Sequence, residues 1–235
     1  MDKVFPSLEE AIADIPDGAT VGFPGFFTCG NPIYLTQALA KKGTKNLTIV
    51  VMQLGVGNEE INELLQNGQV KKAVCNYPFY RSASRKSLFE QLLIAKNVEC
   101  DLFPMGTFAE KLRAAGAGIP AFYTPTGVGT YIAEGKEMRV FDGKECLLEK
   151  ALKLDYGFVH AWKADRMGNV VFRKTARNYN PDIARAAKIS VVEAENIVET
   201  GEIAPDLVHL PGVYVKRVVK VDRPKIAVTI EAPAK

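Results

Sequence analysis

TVGFPGFFTCGNPIYLTQALAKKG, residues Thr20 to Gly43, places a strand, a glycine-rich turn and a helix in immediate succession. Thr20 to Phe23 is β-branched and apolar. Gly22, Gly25 and Gly30 supply backbone freedom where a side chain would block a turn or the close approach of a ligand. Asn31 stands where an N-cap belongs and Pro32 at the first helical position, where its missing N–H is no loss; Gly43 follows two lysines as a stop. A helix N-terminus facing a glycine loop offers unpaired N–H groups and the positive end of a dipole, which suits a phosphate or an oxyanion forming on a carbonyl. The spacing G-x-x-G-x-x-x-x-G has neither the Lys-Ser/Thr of a P-loop nor the order of a dinucleotide motif, so a ligand-free strand-to-helix turn is the competing reading.

Outward from this unit the pattern repeats. Ser7-Leu8-Glu9-Glu10 reads as a capping box opening a short helix that ends before Pro16. Strands are expected over Asn46 to Val51, Val70 to Cys75 and Val98 to Phe103. Between them come a helix from Asn58 to Gln66 stopped by Gly68 and another near Ser84 to Ala95; a third follows the last strand, opened by Thr107-Phe108-Ala109-Glu110. Four strands alternating with helices imply a parallel sheet with right-handed crossovers and a ligand crevice at the strands' carboxyl ends. The loops there are Pro24 to Asn31, Met52 to Gly57, Asn76 to Ser82 and Pro104 to Gly106.

From Gly116 to Thr130 the chain is broken by glycine and proline and reads as an ordered functional loop with no regular element. Hairpins are expected where Met138 to Phe141 and Glu145 to Leu148 flank Asp142-Gly143, and where Tyr156 to Lys163 and Asn169 to Lys174 flank Met167-Gly168. A helix follows from Asn180-Pro181, then a buried strand over Ile189 to Glu193. The fold class is α/β: an open, mainly parallel sheet with flanking helices and antiparallel hairpin additions in the C-terminal half. At 235 residues and 47% hydrophobic, the chain is read as a single domain over residues 1–220 with a surface tail over 221–235.

A net charge of +3 without clustered Lys/Arg excludes a nucleic-acid binder but tolerates an anionic small molecule. No apolar run approaches a membrane span and the N-terminus lacks a signal pattern, so a cytoplasmic protein is expected. Cys29, Cys75, Cys100 and Cys146 stand singly, which argues against zinc and a disulfide framework; Cys29, at a helix start, is either a stabilised thiolate or a small packed residue. His160 and His209 read as satisfied core or turn histidines. Glu193, Glu195 and Glu199 read as a solvated face or a helix cap. An anion-shaped cradle without an evident nucleophile remains.

Taken together, DGATVGFPGFFTCGNP (Asp17 to Pro32), GTFAEKLRAAGAGIPAFYTPTGVGT (Gly106 to Thr130), AWKADRMGN (Ala161 to Asn169), FRKTARNYNP (Phe172 to Pro181) and Val191 to Val219 resemble the A (alpha) subunit of class I CoA-transferases of the 3-oxoacid type. The resemblance implies exchange of CoA between carboxylic acids by a ping-pong route, in which a glutamate attacks acyl-CoA to give an anhydride and then an enzyme–CoA thioester. That glutamate belongs to a B subunit, in a Ser-Glu-Asn-Gly motif absent here; Glu195-Asn196 runs into Ile197 and is no substitute. The implied partner is therefore the CoA-transferase B subunit, in a heterodimer or heterotetramer, with CoA and acyl-CoA as substrates, no tightly bound cofactor and no metal.

The resemblance assigns CoA or oxyanion binding to Pro24, Gly25, Phe26, Phe27, Thr28, Cys29 and Gly30, and no catalytic residue to this chain. Arg81, Arg85 and Lys86 either reach CoA phosphates or form a solvated helix face. Departures fall on the crevice loops: Pro24 for a glycine, Met52 and Gln53 for polar asparagines, Met105 for a glutamine, and apolar Tyr77 and Phe79. Met52, Gln53, Tyr77, Phe79, Met105 and Gly106 are accordingly expected to form a substrate pocket for an acid less polar than succinate, unless the methionines merely pack beneath the loops. A non-catalytic CoA-binding homologue, or a complex with an altered acyl-CoA reaction, is the alternative.

Overall fold

The computed structural model describes residues 2–54, 59–79 and 86–223. In chain order the elements are β1 (Val4–Phe5), α1 (Leu8–Ala11), β2 (Thr20–Phe23), α2 (Ile33–Lys42), β3 (Leu47–Val51), α3 (Glu59–Gln66), β4 (Val70–Cys75), α4 (Leu88–Ile94), β5 (Glu99–Leu102) and α5 (Met105–Gly116). There follow β6 (Ala121–Thr124), β7 (Met138–Phe141), β8 (Lys144–Lys150), β9 (Leu154–Asp165), β10 (Val170–Val171), α6 (Asn180–Ala186), β11 (Ala187–Val198) and β12 (Arg217–Lys220). Among the described residues the main sheet runs β1-β12-β11-β9-β2-β3-β4-β5, parallel throughout, with β10 added antiparallel to β9. β6, β8 and β7 form a separate antiparallel sheet.

Both faces of the main sheet are covered, which is why its strands are nearly continuous apolar runs. Val21, Phe23, Ile49 and Val51 point into a core with Leu35 and Leu39 of α2, Ile61 of α3 and Phe89 of α4. Val50 and Val74 point the other way, against Phe108 and Leu112 of α5 and Ile183 of α6. Gly22 and Gly157 are register partners on this second face. A Cβ on Gly22 would stand 2.9 Å from the Ile183 side chain, and one on Gly157 2.8 Å from the Ile183 carbonyl. The glycine pair lets α6 lie directly on the strands.

The alternation in the first half is as expected, and the Asp142-Gly143 hairpin is present as β7 and β8. Four details differ. α2 begins at Ile33 with Pro32 at the cap position and no capping side chain of its own, because the Asn31 amide is turned to the Phe27 carbonyl at 2.9 Å. α4 is opened by Ser87 and Glu90, which cap each other's backbone; the expected start at Ser84 and the Asn58 cap lie outside the described residues. α5 starts two residues before Thr107, directly after Pro104, so Thr107 is buried within the first turn. The stretch read as irregular holds a strand, β6, delimited by Pro120 and Pro125 and paired with Leu147 to Lys150.

The second half contributes more than hairpins, since β9, β11 and β12 extend the parallel sheet. The small sheet is fastened to the body by Glu149, buried on β8, which takes Lys111 of α5 at 2.8 Å and Lys136 at 2.5 Å above the Phe103 ring. Val221 is buried beyond β12, and residues 224–235 of the expected tail lie outside the described residues.

Gly157→Ala should destabilise the protein by about 1–3 kcal/mol through overpacking against α6. A lowered urea midpoint with unchanged m-value checks this; an unchanged midpoint would show that α6 can withdraw freely.

Candidate active site

β9 and β11 are each twelve residues long, whereas β2 between β9 and β3 has four. Near the end of β2 the Phe23 and Phe158 rings meet edge to face at 5.4 Å. β10 covers β9 only at Lys163 and Ala164. Between these two the flank of β9 is free for loops, and there the glycine loop meets the segment Phe172 to Tyr179.

The loop is a tight construction. Gly25 has φ +112°, and Phe26 and Cys29 exchange two backbone hydrogen bonds of 3.0 Å around Phe27, itself at φ +52°. Gly30 has φ +74°, and a Cβ there would lie 2.6 Å from the Ala176 carbonyl. Asn178 clamps the loop at both ends: its Oδ1 accepts from the Gly25 N–H at 3.1 Å and its Nδ2 donates to the Cys29 carbonyl at 2.9 Å. Asn180, fully buried, donates to the Gly30 carbonyl at 3.0 Å and accepts the His160 N–H at 2.8 Å. Lys174 at φ +50° adds a second strained position on the facing segment.

A cleft of about 500 Å³ opens between them. Thr28, Cys29 and Gly30 form one wall, Thr175 and Ala176 the other; Arg173, Lys174 and Arg223 stand on its border and His160 and Glu195 reach it from the strands. The amides of Gly25, Phe26 and Cys29 are bonded within the protein, whereas those of Thr28 and Gly30 donate to no described residue.

Beneath the cleft runs a buried polar chain. Glu193 of β11, with no exposed surface, accepts the Leu35 N–H of the first turn of α2 at 2.8 Å through Oε2 and faces His160 Nδ1 at 2.9 Å through Oε1. His160 Nε2 lies 3.3 Å from Glu195 Oε1. The capping group that α2 lacks locally is thus supplied from 158 residues away. Burial opposes charge on His160, but the two carboxylates outweigh it and raise the imidazole above the ordinary histidine range. Burial also raises Glu193, against the pull of His160 and the α2 amides. Glu60, at the start of α3, is pushed up to about 7, first by burial and further by Glu193 and Glu59, against a bond from Asn31.

The expected site residues fall in two groups. Pro24 to Gly30 build the loop, and Thr28, Cys29 and Gly30 face the cleft. Met52 and Gln53 are buried at the end of β3, and Gln53 bridges to Tyr77. Tyr77 and Phe79 pack edge to face at 6.2 Å and are exposed, as is Met105, and Gly106 faces open space. This second group forms an apolar rim at the ends of β3, β4 and β5 and does not line the cleft; Gly55, Arg81 and Arg85 lie outside the described residues, and Lys86 is exposed. Cys29 Sγ is 3.4 Å from Thr175 Oγ1, and the Cys75 and Cys100 sulfurs are 3.7 Å apart. His209 accepts the Phe172 N–H, a turn histidine as expected. Among the described residues no cluster of three or more His, Cys, Asp or Glu is placed to hold a metal, and no helix is long and apolar enough to cross a membrane.

Sequence reasoning missed Asn178, Asn180 and the Glu193–His160–Glu195 chain. The available signal was Glu193 itself, a carboxylate inside an otherwise apolar strand run. It does cap a helix, but one far back in the chain.

The profile of the family described as Coenzyme A transferase matches residues 5–221. The chain belongs to the coenzyme A transferase family. Its activity class is CoA transfer. It is 48% identical over 220 residues to the A subunit of the succinyl-CoA:3-ketoacid coenzyme A transferase of Helicobacter pylori strain J99, covering 94% of this chain and 93% of that one. The A subunit of the probable succinyl-CoA:3-ketoacid coenzyme A transferase of Bacillus subtilis is also 48% identical, covering 93% and 90%. An acyl-CoA transferase of Escherichia coli O157:H7 superposes with a TM-score of 0.80 at 26% identity, over 94% of this chain and 47% of that one, so the present fold is about half of that longer chain.

In this CoA-transferase, Asn178→Ala removes both clamps of the glycine loop, each worth about 1 kcal/mol, and amide exchange at Gly25 should accelerate about fivefold or more; unchanged protection would mean that the loop holds itself. Glu60 binds its proton more tightly folded (about 7) than unfolded (4.5), so the folded chain keeps a proton the unfolded chain has lost, and stability from this group falls as pH rises through that window. Glu60→Gln should therefore gain in urea midpoint relative to the parent between about pH 5 and about pH 8; a gain that shrinks with pH would reverse the assignment.

Proposed function

We propose that this CoA-transferase chain is the A subunit of a two-subunit enzyme moving CoA between an acyl-CoA and a carboxylic acid, through a glutamyl-CoA thioester on the B subunit. The observation that carries the reading is the glycine loop, clamped by Asn178 and Asn180 with the Thr28 and Gly30 amides at a cleft bordered by Arg173, Lys174 and Arg223. Those amides suit a thioester carbonyl, and the cations suit the phosphates of CoA or the carboxylate of the acid. The relatives from H. pylori and B. subtilis are named as one of two subunits, which supports a partner chain; the longer E. coli chain, of which this fold is about half, is consistent with a second half being needed. Residues 1–220 act as one domain in this reading, residues 221–235 as a tail, and the complex is a cytoplasmic heterodimer or heterotetramer.

The relatives' names point to 3-oxoacids, and the rim of Tyr77, Phe79 and Met105 favours an acid with an apolar body: a 3-oxoacid or a short or branched fatty acid. Such a rim offers contact area but few partners for a second carboxylate. The chain co-expressed with its partner should exchange CoA between acetoacetyl-CoA and isobutyrate or butyrate about tenfold more efficiently, by kcat/KM, than with succinate. Exchange requiring both chains supports the transferase; succinate as the best acceptor overturns the apolar assignment. A stable complex that exchanges nothing would favour a CoA-binding homologue or an altered acyl-CoA reaction.

A further inference from the structure

Both nitrogens of the His160 ring face carboxylate oxygens, Glu193 at 2.9 Å and Glu195 at 3.3 Å. A carboxylate only accepts, and a neutral imidazole has a single N–H, so two such bonds need a proton on each nitrogen. The Leu35 amide on Glu193 favours the charged form of that carboxylate, leaving the imidazolium as the bridge. Glu195 lines the same cleft as Gly30, where the anionic acid must approach.

We propose that His160 is a positioning residue of the transfer reaction: as an imidazolium it holds Glu195 against the strands and cancels the charge that Glu195 would present to a carboxylate substrate in the cleft. The inference rests on the cleft being the site of acyl exchange. The groups facing the trio are Glu60 of α3, which acts on Glu193; the α2 amides; and Arg173, Lys174 and Arg223 on the border. None of these cations is within salt-bridge distance of Glu195 among the described residues, so loss of the His160 proton takes the trio from one net negative charge to two, with Glu195 uncompensated.

The raised His160 makes the direction explicit: the proton is held through neutral pH and lost in the alkaline range. In the assembled two-subunit enzyme, KM for the free acid should rise about five- to tenfold on that alkaline limb, with a smaller change in kcat. His160→Gln should show the raised KM already at neutral pH, with the limb gone. Glu195→Gln should keep a low KM and also lose the limb. The double variant separates charge from structure: with no carboxylate left to neutralise, His160→Gln/Glu195→Gln should return KM towards the parent value, whereas a purely structural role makes it no better than His160→Gln alone. The chain has two histidines, so long-range ¹H–¹⁵N spectra read the His160 ring directly, both nitrogens protonated at neutral pH and one in alkali.

A single protonated nitrogen at neutral pH, or a double variant without recovery, overturns the role of His160 and leaves the transferase reading standing. A parent complex that exchanges no CoA overturns both.

Discussion

One carboxylate organises this molecule. Glu193 reaches from the middle of the sheet to the first turn of α2 with one oxygen and to His160 with the other. A fully buried carboxylate is tolerated only where donors satisfy it, and removing one partner of such a pair typically costs about 3–5 kcal/mol because the remaining charge is stranded. Those constraints bind three parts of the chain that are distant in sequence. The start of α2 fixes where the glycine loop must end, and His160 fixes its backbone N–H against Asn180, which holds Gly30. The cleft inherits its shape from a polar network below it.

The first half of the fold was legible in the sequence because its signals are local. β-branched runs, Gly43 and Gly68 after helices, and Asp142-Gly143 between strands act within a few residues of where they stand. What depended on distant partners was not legible. β6 is too short to announce itself and exists because Leu147 to Lys150 pairs with it. Asn31 has the chemistry of a cap, yet its amide is used by Phe27, and the cap arrives from β11. The glycine loop was recognised as a ligand-facing element, but Asn178 and Asn180, which hold it, look in the sequence like ordinary loop asparagines. The motif FRKTARNYNP carried the family resemblance without disclosing that its asparagines serve as clamps.

The site has two chemically distinct parts. The cleft beside Gly30 is polar, bordered by cations and built from strained backbone at Phe27 and Lys174. The rim at the ends of β3 to β5 is apolar, with Met52 buried and Tyr77 and Phe79 exposed. The same strands serve both, because a sheet delivers every loop at its carboxyl end to one side of the molecule. Recognition of a charged group and of an apolar group can thus vary separately, on different loops of a common scaffold.

The position of β9 between β2 and β11 has a consequence for how the chain becomes a protein. Thr20 is bonded to Asp155, 135 residues later, so β2 stays an open edge until most of the chain has left the ribosome. The first strands and their helices can assemble early through short crossovers, but Phe23 lacks its Phe158 neighbour and the edge presents unpaired amides meanwhile. β1 waits longer still, since its partner β12 is the last strand described. Translation speed, chaperone capture and the order in which a partner chain is made therefore act on one vulnerable interval, which closes when the central strand arrives.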